Sequence, residues 1–110
     1  MSTIRLKREG RNDLILEGEH LANVTELEFL NSTPSGDWWE LSLVRSKNGE
    51  YILSSIQHTQ AGGTVRHATF AFPSMQSAWQ VLSCNTGRQA RLARTLLERA
   101  GLSERRRKSV

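Results

Sequence analysis

Alternation is the first pattern along the chain. In TIRLKREGRNDLILEG, Ile4 and Leu6 are separated by Arg5, and Leu14 and Leu16 by Ile15. A period of two residues is the mark of a strand with one buried face. Glu9-Gly10-Arg11 lies between the two runs, and Gly10 can take a positive φ. A three-residue loop there predicts a hairpin with Leu6 opposite Leu14 and Ile4 opposite Leu16. The next stretch, GEHLANVTELEFLNS, fits two periods. Leu21, Thr25, Leu27 and Phe29 read as a strand, whereas Leu21, Val24 and Glu28 also fit a helix turn. The strand reading is preferred, with Gly18 marking a bulge or bend.

NSTPSGD then reads as a loop. It leads into DWWELSLVRS-KNGE-YILSSIQHTQ, the strongest local signal in the sequence. Asn48-Gly49 between two β-rich runs predicts a type I′ turn, with Lys47 opposite Glu50. That register puts Trp39, Leu41 and Leu43 on one face with Ile52 and Ile56. The other face holds Trp38, Glu40, Ser42, Val44, Tyr51, Leu53 and Ser55. A second turn, AGGT, leads to VRHATFAFP, with Phe72 beside Leu53 and Phe70 beside Ser55. These aromatics would cover the mixed face, so the middle of the sheet is expected to be buried on both sides, under a helix.

After Pro73 the period changes. Ser74 is a good N-cap. Met75, Ala78, Trp79 and Leu82 then fall at i, i+3, i+4 and i+7, the stripe of an amphipathic helix. Cys84-Asn85-Thr86-Gly87 interrupts it. A second helix is predicted from Arg88 to Ala100, with Gly101 at the C′ position. Leu92, Ala93, Leu96, Leu97 and Ala100 share one side of it. Arg88, Arg91, Arg94 and Glu98 share the other, with Arg94 and Glu98 spaced to pair. The fold class is therefore α+β: an antiparallel β-meander of about five strands followed by two C-terminal helices packed on the sheet.

Composition narrows the setting. The chain has 110 residues, the size of one domain. Residues 1–102 are read as that domain and 103–110 as a disordered basic tail. The one cysteine, Cys84, excludes an internal disulfide framework and fits a reducing, cytoplasmic compartment. No apolar run approaches the roughly 20 residues that span a bilayer, so no membrane partner is expected. Net charge is +4, but it is unevenly spread. From Arg88 to Val110 there are eight basic and two acidic residues, a local charge of +6, leaving −2 on the first 87 residues. A basic end on a slightly acidic body points to a polyanionic partner.

The chemistry-bearing residue types form no strong motif. His58 and His67 face each other across the second hairpin, with Trp39 beside His58. Zinc needs three or four ligands, and neither His20 nor Cys84 falls in a ligand-like spacing. No metal or other cofactor is expected. Ser54, Ser55 and Thr59 supply hydroxyls near His58. There is no nucleophile elbow, however, and no acid is placed to orient the histidine, so no catalytic residue is assigned. Gly62-Gly63 lacks the following helix and lysine of a phosphate loop. Glu17/Glu19 and Glu26/Glu28 read as a solvated face, and Cys84 as a buried structural cysteine.

The reading is a small non-enzymatic nucleic-acid-binding or regulatory protein. Its contacts with DNA or RNA would come from Arg88, Arg91 and Arg94 on the helix and Arg105, Arg106, Arg107 and Lys108 in the tail. Trp38 is a stacking candidate. Neither the helix nor the tail has base-reading residues such as Asn or Gln in a recognition-helix pattern, so contacts are expected with the backbone. The rival reading is a protein-interaction module, an adaptor or a homodimer, whose tail is only a solvated end.

Overall fold

The first hairpin forms as the alternation dictates. In a computed structural model, which describes residues 2–8, 10–29, 37–59, 66–84 and 90–101, strand β1 (Ser2–Leu6) pairs antiparallel with β2 (Leu14–Thr25). Ile4 lies opposite Leu16 and Leu6 opposite Leu14, and Gly10 takes φ +67°. β2 is a long strand of 12 residues, and it is bent. Its register against β3 (Trp38–Ser46) shifts between His20 and Ala22, so the bulge falls at Leu21 and not at Gly18. Gly18 serves another purpose. A Cβ there would overlap the carbonyl oxygen of Arg45, so only glycine lets β2 come this close to β3. The strand ends at Thr25. Glu26–Phe29 turns into one short 3₁₀ helix, which takes Leu27 and Phe29 out of the strand expected for them.

The central hairpin differs from the type I′ expectation by one residue. β3 pairs with β4 (Tyr51–His58) so that Arg45 faces Tyr51, Val44 faces Ile52 and Leu43 faces Leu53. Ser46 N–H donates to the Glu50 carbonyl (2.8 Å) and Gly49 N–H to the Ser46 carbonyl (2.9 Å). Gly49 has φ +89°, while Asn48, like every other described non-glycine residue, has none in the positive range. Both central residues of a type I′ turn need positive φ, so this is the three-residue loop that ends in a left-handed glycine. Lys47 and Glu50 therefore do not pair. Lys47 N–H donates instead to the Glu17 carbonyl (2.8 Å). Burial supplies the reason for the slip. It sets Leu43 against Leu53 and Val44 against Ile52, where the type I′ register would have set Leu43 against Ser54 and Arg45 against Ile52.

A slip of one residue exchanges the faces of the partner strand. Trp39, Leu41 and Leu43 now share a face with Tyr51, Leu53 and Ser55. The last strand, β5 (Arg66–Phe72), adds Phe72 opposite Tyr51 and Phe70 opposite Leu53. Its register differs by two residues from expectation, which keeps the aromatics on the face of Leu53, but that face is now the one of Trp39, Leu41 and Leu43 and not the one of Trp38. The AGGT turn itself lies outside the described residues. The sheet has the order β1-β2-β3-β4-β5, an antiparallel meander.

Both helices cover one face of it. α1 (Met75–Ser83) is capped by Ser74, whose hydroxyl accepts from Ser77 N–H (3.2 Å). Ala78 and Leu82 are buried, and Met75 and Trp79 pack against the same core. α2 (Ala90–Arg99) buries Leu92, Ala93, Leu96 and Leu97 against Val24, Leu41, Leu43 and Leu53. Gly101 ends it with φ +76°, donating to the Glu98 carbonyl (3.1 Å). A second cluster of Ile4, Leu6, Val44 and Ile52 fills the other face near the β3–β4 turn. No helix lies over it among the described residues. The β1–β2 hairpin curls across instead, as the bend of β2 permits. Near the β3–β4 turn the sheet is thus buried on both sides, by helices on one and by its own first hairpin on the other, while further from the turn the second face is only partly covered. Among the described residues, no helix is long and apolar enough to cross a membrane.

Candidate functional site

The sequence nominated eight side chains, of which the structure describes three, Trp38, Arg91 and Arg94. Arg91 and Arg94 are exposed on α2, on the side away from its leucines. Arg91 is held over the Phe29 ring, 5.1 Å from its centroid, a cation–π contact that ties α2 to the 3₁₀ turn. Arg94 reaches outward. Among the described residues no ion pair joins it to Glu98, which is also exposed. Spacing alone allowed that pair, but two solvated side chains gain little by closing it. Arg88 and the tail residues Arg105, Arg106, Arg107 and Lys108 lie outside the described residues.

One further arginine in α2 has a structural partner. Arg99 donates two hydrogen bonds to the Glu28 carboxylate, Nη1 to Oε2 (3.0 Å) and Nη2 to Oε1 (2.6 Å), and Nη1 also reaches the Asn23 carbonyl (2.9 Å). These bonds from Arg99, with one from Thr25 N–H, hold the Glu28 carboxyl below its ordinary range. Glu28 therefore belongs to a clamp between the end of α2 and the sheet. Glu26 accepts from Trp39 N–H (3.1 Å), Glu17 lies 3.7 Å from the Lys47 ammonium, and Glu19 pairs with Arg45. Glu17 and Glu19 thus keep the solvated setting expected of them, in surface pairs, whereas Glu26 and Glu28 are tied to the fold.

Trp38 lies on the opposite side of the sheet from α2. Alternation along β3 sends Trp39, Leu41 and Leu43 to the helices and Trp38, Glu40, Ser42 and Val44 to the other face, which is open at Trp38 and Glu40 and covered at Val44. Trp38 is half-buried there. Its ring stacks on His58 with centroids 5.2 Å and planes 18° apart. Trp38 faces His58 across the strands, where Trp39 had been expected. Trp38 therefore lies on the opposite face of the sheet from the helix that carries Arg91 and Arg94.

Around that stack is a polar cluster that the sequence reading missed. His58 Nε2 donates to Glu40 Oε1 (3.0 Å). Asn23 Nδ2 donates to Glu40 Oε2 (2.9 Å) and to the Ser42 hydroxyl (2.7 Å). An acid therefore does orient His58, contrary to expectation. In the type I′ register Glu40 and His58 fall on opposite faces, and the one-residue slip brings them together. Burial pushes the Glu40 carboxyl up. The hydrogen bonds from His58 and Asn23 outweigh that effect and hold it below the ordinary range. With Nε2 committed to Glu40, Nδ1 is the acceptor of the neutral ring. The cluster fixes the imidazole. Ser42 Oγ accepts from Asn23, and among the described residues no hydrogen bond joins it to His58. His67 pairs with Ile56, so the two histidines are diagonal neighbours and do not face each other. Cys84, expected to be buried, is exposed at the C-cap of α1, beyond the last turn of the apolar stripe.

No protein-family model, curated protein or solved structure matches this chain. What the fold defines is a class: an α+β domain with a five-strand antiparallel meander, two C-terminal helices on one face, and a partly open polar face on the other.

Proposed function

We propose that the protein binds nucleic acid, DNA or RNA, through the phosphate backbone. The contacts are Arg91 and Arg94 on α2, Arg88 just before it, and Arg105, Arg106, Arg107 and Lys108 beyond it. The observation that carries this reading is the segregation of charge, +6 from residue 88 onward against −2 on the rest. The outward set of Arg91 and Arg94 supports it, since cations on an exposed helix side can meet neighbouring phosphates without disturbing the core. α2 has no Asn or Gln between Ala90 and Arg99 to read a base edge, so affinity should vary little with sequence. Trp38, on the opposite face of the sheet from α2, is not assigned to that surface.

The test is a titration of mixed-sequence duplex DNA and single-stranded RNA at several salt concentrations. Each phosphate neutralised contributes about −0.9 to the slope of log K against log salt for duplex DNA. Replacing Arg91 and Arg94 with alanine should therefore flatten the slope by about two, and a truncation ending at Gly101 by about three to four. Unchanged affinity and slope in both variants, or no binding by the full chain at low salt, would reject the proposal.

A further inference from the structure

Strand β5 is the outermost strand on its side of the sheet, and among the described residues nothing pairs with its outer edge. Natural edge strands are usually blunted by lysine, proline, inward charges or bulges. Arg66–Phe72, RHATFAF, has a single formal charge, at one end, and no proline. Beside this edge the helix-bearing face is apolar. Phe70 is 51% exposed and Val81, on α1, 52%. They flank a cavity of about 240 Å³ whose lining includes Leu41, Leu53, Phe72 and Leu82. Among the described residues no further strand pairs with this edge, and an exposed aromatic lies beside it, which suits it to strand pairing.

We propose that the occupant is a second copy of this chain, joined β5 to β5 in an antiparallel, two-fold symmetric dimer with Thr69 on the axis. The strand is complementary to itself in that register. Thr69 meets Thr69 of the second copy, a favourable cross-strand pair. Phe70 lies opposite Ala68, large against small, and His67 opposite Ala71. Arg66, the one formal charge, lies opposite the Phe72 ring, so no like charges meet. On the helix-bearing face the two Phe70 rings become diagonal neighbours across the axis, within reach of aromatic side chains. The contact is isologous and closes after two copies, so it satisfies both edges without building a fibre. The sheet becomes ten strands wide, with both pairs of helices on the same side.

The inference does not depend on nucleic-acid binding and is tested without it. Sedimentation of the full chain over a wide concentration range should show a monomer–dimer equilibrium. Phe70→Glu sets two carboxylates near the axis, and should raise the dimer dissociation constant about 30-fold or more, as for an aromatic anchor at the centre of an interface. Circular dichroism checks that the variant is folded, and Val81→Glu is a second probe at a half-exposed site. As an independent check of register, Thr69→Cys in a Cys84→Ser background should oxidise to a disulfide-linked dimer, because facing residues of antiparallel strands have Cα atoms within disulfide range. A monomer at every concentration overturns the proposal. So does a dimer that ignores both glutamates and, in the Thr69→Cys variant, forms no disulfide. A monomer that adds an extended peptide of another protein along β5 also overturns it, by naming a different occupant.

Discussion

At Glu40 two opposing effects meet. Burial disfavours its charge, while hydrogen bonds from His58 and Asn23 favour it, and the carboxyl settles below its ordinary range. A carboxyl whose folded pKa is depressed adds stability above its unfolded pKa, about 4.3, and that contribution fades as pH falls through the folded value. Glu40→Gln removes this titration and leaves the other carboxylates in place. The wild type should therefore lose its advantage over Glu40→Gln between about pH 5 and pH 3, read as urea midpoints that converge on acidification. A gap that stays constant across that range would show that Glu40 contributes only packing. Little of this site was legible in the sequence. Glu40 and His58 are 18 positions apart and meet only through strand pairing. An error of one residue in the pairing puts them on opposite faces. Arg91 and Arg94 were easier to place, because a helix fixes both residues from local spacing alone.

Elements explain why some registers could be read and one could not. In the first hairpin, alternation in both strands and the glycine of the loop agree on one answer, and Leu6 does face Leu14. The two helices were legible for the same reason: Ser74 marks the start of the first, Gly101 the end of the second, and an apolar stripe runs along each. Asn48-Gly49 is different, because it is compatible with a two-residue or a three-residue loop. What decides between them is the match of Leu43 with Leu53 and Val44 with Ile52, which is a property of the packed sheet. Gly18 was legible as a special position but not in its purpose. Its role is the close passage of β2 beside the Arg45 carbonyl. This passage helps seat Ile4 and Leu6 over Val44 and Ile52. Gly18→Ala should therefore cost about 1–3 kcal/mol, the range for forcing an extra methyl into a packed interior. Chemical denaturation measures it, and a loss below the error of the method would contradict the close-passage account.

The whole molecule presents two different surfaces on opposite sides of one sheet. On one side, α2 displays Arg91 and Arg94 outside a leucine core, and the chain continues into a basic segment. On the other, Trp38, His58, Glu40 and Asn23 form a fixed polar cluster with a carboxylate at its centre. Negative charge on the second surface should repel phosphate, so the two are expected to answer a polyanion differently. The class of fold could be read from the order of periods along the chain. That the basic helix and Trp38 lie back to back could not, because it depends on which face the helices choose. The most direct measurement is an NMR titration of the full chain with mixed-sequence DNA and RNA at low and high salt. The account predicts shifts at Arg91, Arg94 and the residues beyond Gly101 that fade at high salt, with Trp38 and His58 unmoved. Shifts confined to Trp38, His58 and the open face, or none at low salt, would contradict it.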